Sequence, residues 1–214
     1  DPIEKRYNDR LWIWKHPVPG KTYLVSADVA RGDGGDFSAC HILDVDTVEQ
    51  IGEFKGKIPT DEYGIMLTNI ANEYNKALLV VENASIGWAV IQKIIDLEYD
   101  NLYYTNKDFK YIDVQTQLKE SYDIIDKDKV VAGFTTSAKT RPLIIEKLER
   151  VCHDTQDPII INSVRLLDEL TVFIWNKRGK AESRSGYNDD LVMSYSIGLW
   201  VRETAVKLRM KGLA

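Results

Sequence analysis

The chain is poor in the residues on which several common chemistries depend. Its 214 residues include two cysteines and three histidines. Cys40 and Cys152 lie far apart in apolar runs, without the paired spacing of a zinc site, so free buried thiols in a reducing compartment are expected. His16, His41 and His153 are scattered, and read as surface or core residues rather than ligands. No local pattern suggests a Ser, Cys or His nucleophile. No stretch approaches the ~20 continuous apolar residues that a membrane helix needs. The polar opening DPIEKRYNDR has no signal-peptide character, and the lack of an initiator Met suggests a fragment or a processed chain.

What is present suits one large α/β domain. At 24.5 kDa, with 44% apolar residues, the chain can fill a real core. The net charge of −5 argues against a stand-alone DNA-binding module, because phosphate contacts come from Lys and Arg. It argues less against a metal-dependent enzyme, whose surplus carboxylates are neutralised only when cations bind.

Residues 1–20 read as an irregular lead-in anchored by Trp12 and Trp14. Thr22–Val29 (TYLVSADV) is a β-rich run ending near Asp28. The glycine-rich ARGDGGD turn then leads to Phe37–Val45, and Asp46–Thr47 to Val48–Phe54. Two tight connections in succession predict a three-strand antiparallel meander. Thr60 is expected to cap a helix bearing Tyr63, Met66, Leu67, Ile70 and Tyr74. Ala77–Val81 (ALLVV) is a continuous apolar run, as in a strand buried on both faces, and a right-handed crossover lets it lie parallel beside the first strand. Gly87–Leu97 is helical in pattern, and Asn101–Tyr104 is a short strand. Residues 105–135 form a polar, lysine-rich insertion. Lys139–Cys152 is a helix, Asp157–Ile161 a strand, Val164–Thr171 a helix and Val172–Trp175 extended. Residues 176–187 form a basic, hairpin-like loop, and the last helix runs from about Asp189 to Val206. No repeat or linker divides residues 1–214, so a single domain is expected.

Three acidic positions stand out. Asp28 ends a strand committed to the core by Val25, Ala27 and Val29, where an unpaired charge is costly without a partner or a metal. Glu82 repeats the situation after ALLVV. If the two strands are adjacent and parallel, both carboxylates emerge at one sheet edge. Asp189 and Asp190 begin a helix, where acids are tolerated by its dipole. Taken singly, each acid has a plain structural role as a turn or cap residue. Together, acids from three elements offer oxygen ligands suited to Mg²⁺ or Mn²⁺. Two such ions about 4 Å apart support phosphodiester hydrolysis without a protein nucleophile.

The segments DVARGDGGDFSA (28–39), VVENASIGWAV (80–90) and GYNDDLVMS (186–194) resemble the three nuclease motifs of large terminase subunits, and more narrowly those of T-even-type tailed phages. The resemblance spans nearly the whole chain in the right order. It implies a ribonuclease H-like mixed sheet flanked by helices, and a two-metal DNA endonuclease that cuts concatemeric viral genomes during headful packaging in the host cytoplasm. Carried over, Asp28, Glu82 and Asp189 match the three catalytic acids. Asp190 is a second candidate ligand beside Asp189, and Asp36 a further acid of the first motif, brought back over Asp28 by Gly32, Gly34 and Gly35. Full-length large terminases also carry an ATPase domain with a GxxxxGK[ST] phosphate loop. That string is absent from this chain, so an isolated nuclease domain is expected, whose whole-protein partners would be the ATPase domain, portal and small terminase subunit.

For double-stranded DNA, Lys177, Arg178, Lys180 and Arg184 are the densest basic cluster and closely precede Asp189; the alternative is a solvated hairpin tip. Lys107, Lys110 and Lys119 are weaker candidates. Two other functions remain open on sequence. One is a non-catalytic module binding DNA or a portal, with the acids as caps and turns. The other is a kinase-like phosphotransferase, which would need two such domains around a nucleotide cleft.

Overall fold

The structure, a computed structural model, describes residues 1–31, 35–106, 130–156, 158–177 and 179–210. A six-stranded sheet is built from β1 (Glu4–Arg6), β2 (Leu11–Ile13), β3 (Tyr23–Asp28), β4 (Ser38–Asp44), β5 (Glu49–Gly56) and β6 (Leu78–Val81), in the order β1-β2-β5-β4-β3-β6. β3–β4–β5 is the expected antiparallel meander, and β6 lies parallel to β3, with Ala27 opposite Val81. β3 is buried on both faces because its alternate residues serve two cores. Tyr23, Val25 and Ala27 face one cluster, shared with α1 (Thr60–Glu73) and α2 (Gly87–Asp96). Leu24 faces the other, shared with α3 (Thr140–His153), α4 (Val164–Val172) and α5 (Asp190–Met210). The result is a three-layer mixed-sheet architecture.

Helix α5 lies close against the sheet. A Cβ at Gly198 would stand 2.6 Å from Ser26 Oγ, so the helix–strand approach requires glycine there. Replacing a fully buried aliphatic such as Leu24 or Ile197 by Ala should cost about 2–5 kcal/mol.

Several expectations need correction. Residues 1–20 are not merely irregular: β1 and β2 extend the sheet beyond β5, and Leu11 and Ile13 are fully buried. Pro59 occupies the cap of α1 and Thr60 is its first helical residue. The stretch expected as the strand 157–161 makes only a single parallel bridge, Ile160 with Glu49, with residue 157 outside the described set. Asn101–Tyr104 contributes a bridge from Leu102 to Leu79. The strand itself, β7 (Tyr104–Asn106), lies later and pairs with β8 (Val130–Ala132). Cys152 is exposed near the end of α3, whereas Cys40 is buried as expected.

Most of the polar insertion, including Lys107, Lys110 and Lys119, falls outside the described residues, as do Gly32 and Gly34. Among the described residues no helix is long and apolar enough to cross a membrane.

Candidate metal centre

The acids converge because of strand register. Asp28 pairs with Ala39 on β4, and Ala39 with Lys55 on β5, while Glu82 follows β6 and its N–H donates to the Ala27 carbonyl. Glu82, Asp28, Ala39 and Lys55 therefore form one transverse row. Residues opposite one another in a sheet project to the same face, here the face covered by α5. The small Ala39 leaves a gap of two strand spacings, roughly 10 Å between flanking Cα atoms. The start of α5 lies over this row.

The Asp28 and Glu82 carboxyls lie close enough for each to act on the other's charge. Asp28 keeps a partly exposed edge, yet its carboxyl is held well above the usual carboxylate range. Dense packing is the largest cause, followed by the charge of Glu82 and its hydrogen bond, then the charge of Asp190. The Val29 N–H, donating to Asp28 Oδ1 at 2.8 Å, opposes the shift only weakly. The loop after Glu82 is equally constrained: a Cβ at Gly87 would lie 1.9 Å from the Glu82 carbonyl oxygen. Behind Asp28, the buried Tyr63 hydroxyl donates a long 3.4 Å bond to its carbonyl.

The two neighbouring aspartates part company. Asp189 sits at the cap position of α5, its carbonyl accepting from Met193 N–H at 2.8 Å. Its carboxylate instead turns to Arg141 of α3, at 2.7 Å. Asp190 is 8% exposed and lies on the side of Asp28. Its Oδ2 accepts from Phe37 N–H at 3.1 Å and Asn188 Nδ2 at 3.0 Å. Burial raises its pKa, against these hydrogen bonds and the nearby Lys55 charge. Asp36 is exposed and close enough for its charge to act on Asp190. Thus Glu82 and Asp190 both lie near enough to act on Asp28, Asp36 is exposed beside Asp190, and Asp189 is tied to Arg141. Among the described residues no three Asp, Glu, His or Cys side chains are already grouped as a metal site.

Three supporting residues carry no sequence signal. Glu169 of α4 accepts from the N–H groups of Leu191 and Val192 at 2.9 and 3.2 Å, and pairs with Lys55. Arg141 also donates to the Ala181 carbonyl, tying Asp189 to the β-hairpin. Lys55 becomes conspicuous only once its register with Asp28 is known.

The basic hairpin is formed by β9 (Phe173–Trp175) and β10 (Ala181–Ser183), so its tip is narrower than residues 176–187. Lys177 and Arg184 are exposed. Lys180 pairs with Glu182 at 2.9 Å, and Arg178 lies outside the described residues. The hairpin abuts the acids, because the Ser183 hydroxyl donates to the carbonyl of Asn188, the residue that holds Asp190. None of the three histidines joins the cluster. His16 and His153 are exposed, and the buried His41 donates through Nε2 to the Leu191 carbonyl while Gln50 donates to its Nδ1.

No protein-family model matches the chain. Solved structures do. The large terminase nuclease of thermophilic phage G20c with bound magnesium superposes with a TM-score of 0.66 at 17% identity, covering 92% of this chain and 89% of that one. Its cobalt-bound form gives the same values. The large terminase nuclease domain of Thermus phage P74-26 gives a TM-score of 0.62 at 18% identity, with 92% and 87% covered. All of these come from thermophilic phages, so they bear on large terminases generally and not on the T-even-type subgroup. With its meander, parallel fourth strand and flanking helices, the chain has the ribonuclease H-like fold of large terminase nuclease domains.

Proposed function

We propose that this chain is a divalent-metal-dependent endonuclease that hydrolyses DNA phosphodiesters, the cutting domain of a genome-packaging terminase. One observation carries the reading: the ends of two adjacent parallel strands bring Asp28 and Glu82 side by side, with Asp190 at the start of a helix near Asp28. The likeness to nuclease domains solved with magnesium and cobalt supports it.

Asp28, Glu82 and Asp190 offer a hard divalent cation an all-oxygen donor set, and their mutual repulsion falls when Mg²⁺ or Mn²⁺ binds. Asp36 is a candidate for a second ion. Asp189 contributes by fixing Arg141 and the helix start rather than as the first ligand. When bound, such ions lower the pKa of an attacking water and stabilise the leaving oxygen of a phosphodiester. The chain's own residues do the rest. The strand ends and Gly87 hold Asp28 and Glu82 rigidly in register. Asn188 and Phe37 orient Asp190. Lys177, Lys180 and Arg184 lie along a hairpin beside the acids, and with Arg178 we assign them the phosphate contacts that position the double helix.

In the whole protein we place this domain after an ATPase domain, acting with a portal and a small terminase subunit in the host cytoplasm on concatemeric genomes filled headful by headful. Plasmid nicking in Mg²⁺ or Mn²⁺ tests the core claim. Wild-type chain should nick and Asp28→Ala should lose cutting by about two orders of magnitude or more. Full activity in Asp28→Ala would end the assignment, and DNA binding without metal binding or cutting would favour a non-catalytic module.

A further inference from the structure

The start of α5 is capped in an unusual way. An aspartate at a helix cap ordinarily accepts the N–H groups two and three positions on with its own side chain. In α5 those donors are Leu191 and Val192, and both go to one carboxylate oxygen of Glu169, 20 residues before Asp189 in sequence and on another helix. The other carboxylate oxygen accepts from Lys55, which reaches over from the same transverse row as Asp28. Glu169 is 7% exposed, a burial that Lys55 and the two amides together compensate. With the donors satisfied from outside, neither aspartate of the pair is needed as a cap. Asp189 is free to hold Arg141, and Asp190 to face Asp28 and Glu82.

We propose that Glu169 is a positioning residue that takes over the capping of α5 and so releases Asp190 for metal binding. The inference rests on the metal-centre reading above. Without Glu169 the Leu191 and Val192 donors lose their partner. Asp189 then swings from Arg141 to serve as its own cap, the first turn shifts, and Asp190 loses its aim. Lys55 is the counter-charge that lets a carboxylate do this in a buried position.

The test is Mn²⁺ binding to the metal-free chain, followed by calorimetry and by the loss of the free-ion electron paramagnetic resonance signal. Amide exchange across residues 190–194 and DNA nicking accompany it. Glu169→Ala should weaken Mn²⁺ binding by roughly 10- to 100-fold, as removal of ligand-orienting groups does. It should also accelerate exchange at Leu191 and Val192. Glu169→Gln keeps an acceptor oxygen and should stay within about threefold of wild type in Mn²⁺ binding, because a neutral acceptor still satisfies both amides. Saturating Mn²⁺ should restore most of the cutting rate of the alanine variant. Where that variant does not fold, Glu169→Asp, one methylene too short to reach, should show the same weakened binding. Unchanged Mn²⁺ affinity in Glu169→Ala or Glu169→Asp would overturn the proposal. Equal losses in the Ala and Gln variants would also overturn it, assigning the effect to the Lys55 ion pair. A wild-type chain that binds no Mn²⁺ at all would defeat the metal-centre reading and this inference with it. Binding by wild type and Glu169→Ala alike would defeat the inference alone.

Discussion

Replacing Asp28 by Asn should abolish cutting and at the same time make the metal-free protein more stable. In the wild-type chain the Asp28 and Glu82 carboxyls end neighbouring parallel strands, and the charge of Glu82 acts on Asp28. Two unit charges about 4 Å apart repel by about 4 kcal/mol at an effective dielectric of 20. Solvent screening at the partly exposed edge of Asp28 reduces the net penalty, leaving about 1–2 kcal/mol, the range typical of relieved active-site strain. An Asn keeps an Oδ1 to accept the Val29 N–H and offers an Nδ2 donor to Glu82, so both hydrogen bonds survive. For a chain of this length each kcal/mol moves Tm by about 2–4 °C, so melting in EDTA at pH 8 should rise by roughly 2–8 °C. The sign of the pH effect follows from the raised folded-state pKa of Asp28. The folded wild type binds more protons than the unfolded chain, so its stability falls as pH rises from the ordinary carboxylate range through the raised value. The gap between the Asp28→Asn variant and wild type should therefore open across that window and close in acid. Mg²⁺ should raise the wild-type Tm and leave the variant nearly unmoved. A variant that melts at or below wild type in EDTA at pH 8, with folding intact, would refute the idea that these carboxylates are held together against repulsion.

Asp190→Asn should reduce Mg²⁺-dependent nicking by at least about 100-fold and Asp189→Asn by much less; the reverse order would exchange the roles assigned to the pair. Gly87→Ala forces a Cβ to within 1.9 Å of the Glu82 carbonyl oxygen and should cost about 1–3 kcal/mol in a denaturant melt, with cutting impaired even where folding survives. Neutralising Lys177, Lys180 and Arg184 together should weaken DNA binding uniformly across sequences. It should also flatten the salt dependence by about 0.9 in slope for each phosphate that is no longer neutralised, read by fluorescence anisotropy. Arg165→Ala removes the ion-pair partner, at 2.7 Å, of the fully buried Glu53 and leaves it the Gln50 amide, and should destabilise by about 3 kcal/mol in a thermal or urea melt.

The fold is most legible in the sequence where pattern and topology agree. The runs TYLVSADV and ALLVV mark buried strands, the tight turns mark the meander, and the right-handed crossover puts Glu82 beside Asp28. The strands β1 and β2 are not legible, because three residues are too few to show a period and their identity comes from pairing with β5. The start of α5 depends on a capping partner elsewhere in space, and α1 begins after Pro59 with no side-chain cap to mark it. The choice between Asp189 and Asp190 is invisible for the same reason. It is made by Arg141 from α3 and Asn188 from the preceding loop, neither of which marks itself in sequence. Glu169 looks like any helical acid. The exposure of Cys152 escapes a sequence reading because an apolar neighbourhood along the chain need not be one in space.

The two margins of the sheet carry a consequence for assembly. On one side β1 is three residues long and wholly charged, and Arg6 clamps Glu4 and Glu73 with its guanidinium. On the other, β6 is overlaid by backbone bonds from Asn101, Tyr103 and Phe134. Strand addition, by which an exposed sheet edge recruits another chain, meets a short charged stub on one margin and occupied backbone on the other. A neighbour of this protein, whether another domain or another copy, is therefore not expected to extend this six-stranded sheet. That keeps the row of acids at the strand ends open to the polymer it is proposed to cut.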